Sequence, residues 1–362
     1  MSVLILLAGT DDSALSIVVS PLAELSACLH VLTESDHHRG QASWAANAIE
    51  HATGEFVDTM MRLSPLWMAY RARYFYIGCQ GGGDSGESLD SELERLADQP
   101  LISFMQETAW ACAGGNSRGI FDDLLSDATQ SDQLLAAAGA LSGRRVELAE
   151  RLLGDPERFR GELIAFLGEC REVFFDSAWD SVLPALRQEQ LHLREVLRKD
   201  GPAFGLARIG GNVSVQASPL RVHIEKNKSA ILKPLKTGLV VLPSRHGRPH
   251  LLVKNEPGLV PLLQYPLYQE VRQTGEVTLA RMRMLADPRR AMMCRLLSRE
   301  PMSTSALAES CAMTVPQTSR HLQQLARLGL VKSSREGRYV YYSLELEVVQ
   351  GLGTDFVTSM LA

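Results

Sequence analysis

The stretch SREPMSTSALAESCAMTVPQTSRHLQQLARLGLVKSSREGRYVYYSL, residues 298–344, decides the fold of the last quarter of the chain. A short helix begins at Ser303, and residues 312–313 form a turn. Thr314 is an N-cap for a second helix with apolar residues at helical spacing, and Gly329 ends that helix. Two β-type runs around an Arg-Glu-Gly-Arg tip follow. This order of helix, turn, helix and hairpin predicts a winged helix-turn-helix.

The second helix and the hairpin tip carry the residues that we predict to contact duplex DNA. A helix fits the major groove, and polar residues near its amino terminus reach base edges. Gln317 suits an adenine, and Arg320 suits a guanine or a phosphate. The basic tip of the hairpin suits phosphates or the minor groove. The predicted DNA-binding residues are Thr314, Gln317, Thr318, Ser319, Arg320, His321, Gln324, Arg335 and Arg338.

The rest of the module surrounds this motif. Helical patterns cover 279–286 and 289–297 before it and 345–360 after it, so the module extends over residues 275–362. A helix pair with a basic hairpin also occurs as a purely structural unit. Here the cap, the turn, the Gly-Leu stop and the basic wing follow one another in the right order, which favours DNA binding.

The charge distribution supports the same interpretation. The chain has a formal net charge of −5, which alone argues against non-specific binding of nucleic acid. From Gly275 to Ala362, eleven basic residues outnumber eight acidic ones, so this part carries +3 and the remainder carries −8. A basic module on an acidic body can place its positive face on phosphates while the body stays away from them.

The sequence patterns of residues 1–270 predict a mainly helical domain with a small antiparallel sheet. For the chain as a whole they predict the α+β class. Apolar spacing indicates helices over 21–33 and 42–63, and two long helices between 157 and 199 that meet near 180–184. The sequence pattern changes from helical to β-type near residue 200. Short β-type runs separated by turn residues follow at 213–216, 220–225, 238–242, 250–253 and 259–265.

The N-terminal region offers little sign of catalysis or of a metal. Asp36, His37 and His38 lie in a polar loop without a third ligand group nearby, and Glu50, His51 and Glu55 suit a charged helix surface. The glycine run 81–83 lacks the spacing of a phosphate loop, and there is no GxSxG elbow. We therefore predict neither an enzyme nor a metal or cofactor site.

The cysteines and the apolar runs point to a reduced, cytoplasmic protein. Six cysteines are scattered singly and none forms a CxxC pair, so a disulfide framework is not expected. No apolar run reaches the roughly 18 residues of a membrane span. The apolar stretch 3–8 is short and lacks preceding basic residues, so it fits a buried strand better than a signal peptide.

The C-terminal module resembles the ArsR family of bacterial repressors. The resemblance lies in Leu285-Ala286-Asp287-Pro288-Arg289-Arg290, Thr318-Ser319-Arg320-His321-Leu322, Leu328-Gly329-Leu330-Val331 and Glu336-Gly337-Arg338-Tyr339-Val340-Tyr341-Tyr342-Ser343-Leu344. It implies a homodimer with the first and last helices of the module at the interface. It also implies an inverted-repeat operator and repression that a signal releases.

The module departs from parts of the family pattern. Val315 and Pro316 replace a polar pair that is common in relatives. The base contacts are therefore expected mainly from Gln317, Ser319 and Arg320. Metal-sensing relatives carry cysteines at the stretch corresponding to 303–307 or Asp/His sets on the last helix, and this chain has neither. Cys294 matches one thiol of redox-sensing relatives but lacks its partner on the last helix, so we interpret it as a packing cysteine.

The whole chain is similar to a subgroup of actinobacterial ArsR-type regulators with a long N-terminal domain of uncharacterised role. The resemblance lies in Val19-Ser20-Pro21-Leu22 with Glu24, in the helices over 169–198, in Gly238-Leu239-Val240-Val241-Leu242-Pro243-Ser244 and in Tyr265-Pro266. It implies a regulator with an added domain, and it indicates no ligand.

Two roles for this N-terminal domain remain open. In the first, it senses a small organic molecule that is not a metal. In the second, it only docks a partner protein or extends the dimer. An enzyme fused to the module would need a nucleophile–base pair or a metal cluster. A set of apolar and aromatic residues suits a ligand cavity or an ordinary core: Trp44, Trp67, Met68, Tyr70, Tyr74, Phe75 and Tyr76, with Trp110, Phe174, Phe175 and Trp179. A closed apolar pocket with a few polar groups favours the sensor, and a large exposed apolar patch favours docking.

Overall fold

The computed structural model describes residues 2–34, 38, 41–68, 70–79, 88–115, 121–210, 213–226, 229–267, 275–336 and 339–361. They fall into two compact units, Met1–Leu267 and Tyr268–Ala362. Each unit has its own hydrophobic core. Within the described ranges, no helix combines the length and the apolar character that a membrane crossing requires.

The first unit is built mainly from helices whose starts are fixed by local caps. Side chains of Ser20, Thr53, Ser88, Ser142 and Asp155 each accept a backbone N–H in the first turn of a helix. The helices are α1 Pro21–Thr33, α2 Ala42–Ala48, α3 Gly54–Leu63, α4 Leu89–Asp98, α5 Leu101–Cys112, α6 Ala128–Gly139, α7 Gly143–Gly154, α8 Pro156–Cys170, α9 Asp176–Asp200, α10 Pro202–Ala207 and α11 Pro234–Thr237.

Two helix predictions need correction. The single helix predicted over 42–63 is broken into α2 and α3, because Thr53 caps a new start by accepting the N–H of Phe56 at 3.1 Å. The long pair meets at a π-helical turn, Arg171–Phe175, and Pro184 lies inside α9 instead of ending a helix. The helix α1 has the predicted bounds.

Eight strands of the first unit form two small sheets. They are β1 Ser2–Leu6, β2 Leu15–Ile17, β3 Val213–Ala217, β4 Leu220–Glu225, β5 Ala230–Leu232, β6 Leu239–Ser244, β7 Leu252–Lys254 and β8 Leu262–Pro266. The orders are β3-β4-β1-β5 and β2-β6-β8-β7. In the first sheet β1 runs antiparallel to β4 and parallel to β5. In the second, β6 runs parallel to both β2 and β8, and β7 is antiparallel to β8.

The prediction of one antiparallel sheet is therefore wrong, since both sheets are mixed. The N-terminal strands insert between or beside the later ones and bring parallel neighbours with them. All six residues of β6 are buried. A continuous apolar run of this kind is typical of a strand covered on both faces, as in parallel sheets.

Most of the aromatic residues noted in the sequence lie in the core between the helices. Trp67, Tyr74, Phe75 and Tyr76 are fully buried. The rings of Trp67 and Phe166 stack with centroids 5.9 Å apart. This core supports the sheets, and a second apolar cluster packs α9 and α10 against the strands.

The second unit confirms the predicted winged helix-turn-helix. Its elements are α12 Gly275–Leu285, α13 Pro288–Leu297, β9 Met302–Ser303, α14 Thr304–Ser310, α15 Val315–Arg327, β10 Val331–Glu336, β11 Tyr339–Leu344 and α16 Leu346–Leu361. The short β9 adds a third strand to the hairpin in the order β10-β11-β9. Leu297, Leu307, Leu322 and Leu325 form the centre of the core. The first and last helices, α12 and α16, pack against each other.

Candidate functional site

A capping box fixes the start of α15, the predicted recognition helix. The hydroxyl of Thr314 accepts the N–H of Gln317 at 3.4 Å, and the amide oxygen of Gln317 accepts the N–H of Thr314 at 3.2 Å. Val315 is 47% exposed beside it. The oxygen of Gln317 accepts the hydrogen bond of the cap, and its NH₂ group remains a donor for a base.

Thr318 differs from the other predicted contacts because it is fully buried. Its hydroxyl donates to the carbonyl oxygen of Thr314 at 3.1 Å. It lies on the same helix face as Leu322 and Leu325, which belong to the core. Thr318 therefore packs α15 onto the module and does not reach a ligand from this position.

The opposite face of α15 is exposed. Gln317, Arg320 and Gln324 follow one another at helical spacing on this face, and Ser319 is partly buried. On the wing, Arg335 is exposed and lies opposite Val340 in the hairpin register. Arg338, the other predicted wing contact, lies outside the described residues.

His321 is oriented by an arginine that the sequence prediction left out of the site. Arg290 Nε donates to His321 Nδ1 at 3.2 Å. Because arginine only donates, Nδ1 is the acceptor and the ring proton lies on Nε2. Burial and the charge of Arg290 lower the pKa of His321, so the ring stays neutral near pH 7. The sequence does contain a signal that places Arg290 in the first turn of α13. This signal is Asp287, which caps α13 by accepting the N–H groups of Arg289 and Arg290.

Two other charged groups of this module have structural partners. Arg281 is buried, and its Nε donates to the carbonyl oxygen of Leu328 at 2.7 Å, which satisfies the end of α15. Lys332 lies 3.1 Å from a carboxylate oxygen of Glu345.

Burial raises the pKa of Cys294 to about 11, which suits a packing thiol and not a reactive thiolate.

The first unit contains a cavity of about 790 Å³. This volume is within the range of small-molecule sites in proteins, roughly 300–1,000 Å³. Its lining differs from the apolar pocket expected of a sensor, because several charged side chains contribute to it. The basic ones are Arg71, Arg145, Lys226 and Lys254.

A buried polar cluster forms one wall of this cavity. Lys254 Nζ lies 2.9 Å from Glu256 Oε1, and the hydroxyl of Tyr70 donates to the same oxygen at 2.6 Å. The ammonium group also lies 3.4 Å from the centre of the Tyr70 ring. Burial lowers the pKa of Lys254 to about 8 and raises that of the neighbouring Glu107 to about 7. Lys254 is therefore a titratable group with a shifted pKa at a cleft, a common property of functional sites.

A second buried carboxylate, Glu24 on α1, fixes the loop that follows β6. Ser244 Oγ donates to Glu24 Oε2 at 2.7 Å, and the N–H of His246 donates to Glu24 Oε1 at 2.8 Å. His246 Nδ1 lies 2.8 Å from the same Oε1. Burial raises the pKa of Glu24, but the hydrogen bond and charge of His246 outweigh it and leave the pKa lowered. A nucleophilic serine needs a base that is hydrogen-bonded to its own hydroxyl. Ser244 and His246 instead both bond to the carboxylate of Glu24, so this arrangement does not match a nucleophile–base pair.

Next to this loop, three histidines come together. Ligand nitrogens of His30, His38 and His250 all lie within 4.8 Å of one another. The expectation that His38 lacks further ligand groups is wrong, because its neighbours come from α1 and from the segment before β7. Asp36, His37 and the glycine run 81–83 lie outside the described residues. Glu50, His51 and Glu55 are exposed.

Comparison with known families gives separate matches for the N-terminal and the C-terminal parts of the chain. The model of a family of unknown function (DUF5937) matches residues 1–271. A helix-turn-helix domain model matches residues 285–334.

Three of the curated proteins that the chain is similar to are named as transcription regulators or repressors. The chain is 40% identical over 67 residues to the arsenic resistance transcriptional regulator ArsR1 of Pseudomonas putida, which is 18% of this chain and 52% of that protein. It is 39% identical over 75 residues to the HTH-type transcriptional regulator KmtR of Mycobacterium tuberculosis, 21% of this chain and 58% of the relative. It is 32% identical over 66 residues to the transcriptional repressor SdpR of Bacillus subtilis, 18% of this chain and 73% of the relative. The chain thus spans just over half the length of the first two relatives.

Solved structures give matches of similar extent. One is NolR of Sinorhizobium fredii, with 29% identity over 25% of this chain and 90% of that chain, at a TM-score of 0.21. Another is the homodimeric winged helix-turn-helix domain of Mb0332 from Mycobacterium bovis, with 27% identity over 23% of this chain and 79% of that chain, also at 0.21.

Proposed function

The chain belongs to the DUF5937 family and is an ArsR-family transcription regulator, and from that premise we propose that it is a homodimeric repressor of an inverted-repeat operator. The observation that carries the proposal is the exposed face of α15. Gln317, Arg320 and Gln324 project polar groups there, at the position in the motif that enters the major groove.

The surrounding groups suit the same ligand. The Nε2–H of His321, set by Arg290, is a donor for a base acceptor or a phosphate oxygen. Arg335 on the wing suits a phosphate. Thr318 contributes by holding the helix on its core, so we omit it from the proposed contacts.

The proposed dimer uses α12 and α16, the helices that the ArsR resemblance places at the interface. They pack side by side within the unit. Leu279 on α12 remains 39% exposed, which leaves an apolar side chain on the outside of this pair. A second copy of the pair would cover it.

We further propose that a small organic molecule in the cavity of the first unit releases the repressor. The size of the cavity supports a ligand more than it supports partner docking, the alternative role. Arg71, Arg145 and Lys226 line this cavity together with Glu34 and Glu225, and such charged side chains favour a polar molecule over an apolar one.

A gel-shift titration of the full chain on the DNA upstream of its own gene tests the proposed function. We expect a sharp, salt-sensitive shift that survives competitor DNA. Arg320→Ala should weaken it about tenfold or more. Arg62→Ala removes the same charge from an exposed site on α3 and should leave the shift unchanged. An equal effect of both variants would contradict the assignment of α15.

A further inference from the structure

The three histidines His30, His38 and His250 are placed to share one ligand. Their ring centroids are 4.9, 5.7 and 5.1 Å apart, and one nitrogen from each lies within 4.8 Å of the others. Three imidazoles on one tetrahedral ion with metal–nitrogen bonds of about 2.1 Å place their nitrogens about 3.4 Å apart. To reach this spacing, each nitrogen has to move inward by up to roughly an ångström.

The hydrogen bond of His38 to a backbone carbonyl sets the tautomer of its ring. His38 Nδ1 lies 2.7 Å from the carbonyl oxygen of Arg248, and a carbonyl only accepts, so Nδ1 carries the proton. In the neutral ring Nε2 is then the unprotonated nitrogen. A histidine that binds a metal usually donates its other ring N–H to a carbonyl or carboxylate in this way.

The frame around the cluster is rigid. His30 lies near the end of α1, which is buried along most of its length. His250 follows the loop that Glu24 holds through Ser244 and His246. Gln41 Nε2 donates at 3.2 Å to the carbonyl oxygen of Arg248, the acceptor of His38. Preorganised ligands of this kind reduce the cost of ordering a metal site.

The environment also argues for an ion. His30 and His38 are only 7% and 2% exposed, so an ion held by them would be shielded from bulk water. His30 and His250 line the 790 Å³ cavity, so the cluster opens onto space where water or a ligand fits. A three-histidine set with an open position is a common donor set for zinc.

We propose that His30, His38 and His250 bind one divalent d-block metal ion, with zinc as the reference ion, and that its remaining coordination position faces the cavity. This site goes beyond the proposed DNA-binding function and does not depend on it. Imidazole ligands suit zinc, copper, iron and nickel, so the ligand set defines the class of metal.

Direct metal titration of the full chain tests the proposal without DNA. The protein is stripped with a chelator, and Zn²⁺ is added in competition with a chromophoric chelator. Co²⁺ is added separately, and its visible absorption reports a tetrahedral site. We expect one Zn²⁺ per chain and the absorption bands of tetrahedral Co²⁺.

The variants separate this site from adventitious binding. His250→Ala, at the exposed ligand, should weaken Zn²⁺ binding at least tenfold, and His38→Gln should abolish the tetrahedral Co²⁺ spectrum. His192→Ala removes an exposed histidine on α9 and should change neither. Absence of stoichiometric binding by the unmodified chain would overturn the site, as would binding that both ligand variants leave intact. Either result would leave a specific gel shift, and therefore the DNA-binding proposal, untouched.

Discussion

Gln317 closes the capping box of α15 with its amide oxygen, so a substitution there changes the helix start and the proposed base contact together. Gln317→Glu keeps an acceptor for the cap but removes the NH₂ donor. We expect it to retain stability and to lose the base preference, by about 1–3 kcal/mol. Gln317→Ala should lose both, with the cap contributing about 1 kcal/mol. Thermal unfolding and gel shifts on single-base operator variants measure the two effects. A base preference that survives both substitutions would contradict the contact.

The raised pKa of Glu107 predicts that the free energy of unfolding of the first unit depends on pH. Burial raises its pKa from the ordinary 4.5 to about 7. The folded state therefore binds more protons than the unfolded state between these values, and the free energy of unfolding decreases as pH rises through this window. All four tryptophans lie in the first unit, so tryptophan fluorescence during urea unfolding reports this unit alone.

We expect Glu107→Gln to flatten that pH profile between pH 5 and pH 7. Lys254, whose pKa is lowered to about 8, stays protonated in both states over this range and does not interfere. An identical slope in the variant and the unmodified chain would assign the dependence to another group.

At the scale of single elements, the wing and α12 each carry an arginine with a different task. Arg335 is exposed on β10, whereas Arg281 is buried against the end of α15. Arg335→Ala should weaken binding on every DNA sequence and reduce the slope of log K against log salt by about 0.9. Arg281→Ala should instead destabilise the module by about 1–3 kcal/mol and leave the slope unchanged. Equal slopes for Arg335→Ala and the unmodified chain would remove the wing from the interface.

The elements that the sequence predicts well are those with local signals. The caps Ser303 and Thr314 and the stop Gly329, whose φ is 66°, lie within a few residues of what they control. Strand partners are not local. The run at 238–242 indicates a strand, but its parallel neighbours β2 and β8 are chosen by packing across the whole first unit.

The same reason explains why the histidine cluster was missed. His30 lies in an apolar helix where nothing in the spacing marks a ligand, and His250 is more than two hundred residues away in sequence. Only the fold of α1 against the loop after β6 brings them to His38. In contrast, the exposed face of α15 follows directly from helical periodicity. The inward position of Thr318 follows from the same periodicity, because it lies four residues before Leu322.

At the scale of the whole molecule, the proposals assign the signal to one unit and DNA to the other. We therefore expect residues 268–362 alone, which have their own core, to bind the operator with the base preference of the full chain. A small polar molecule that quenches or shifts the tryptophan fluorescence of the first unit should weaken operator binding by the full chain only. By linkage, operator DNA should weaken binding of that molecule by the same factor. If the isolated module responded equally, the signal would act within the winged unit, and the cavity would not be its receptor.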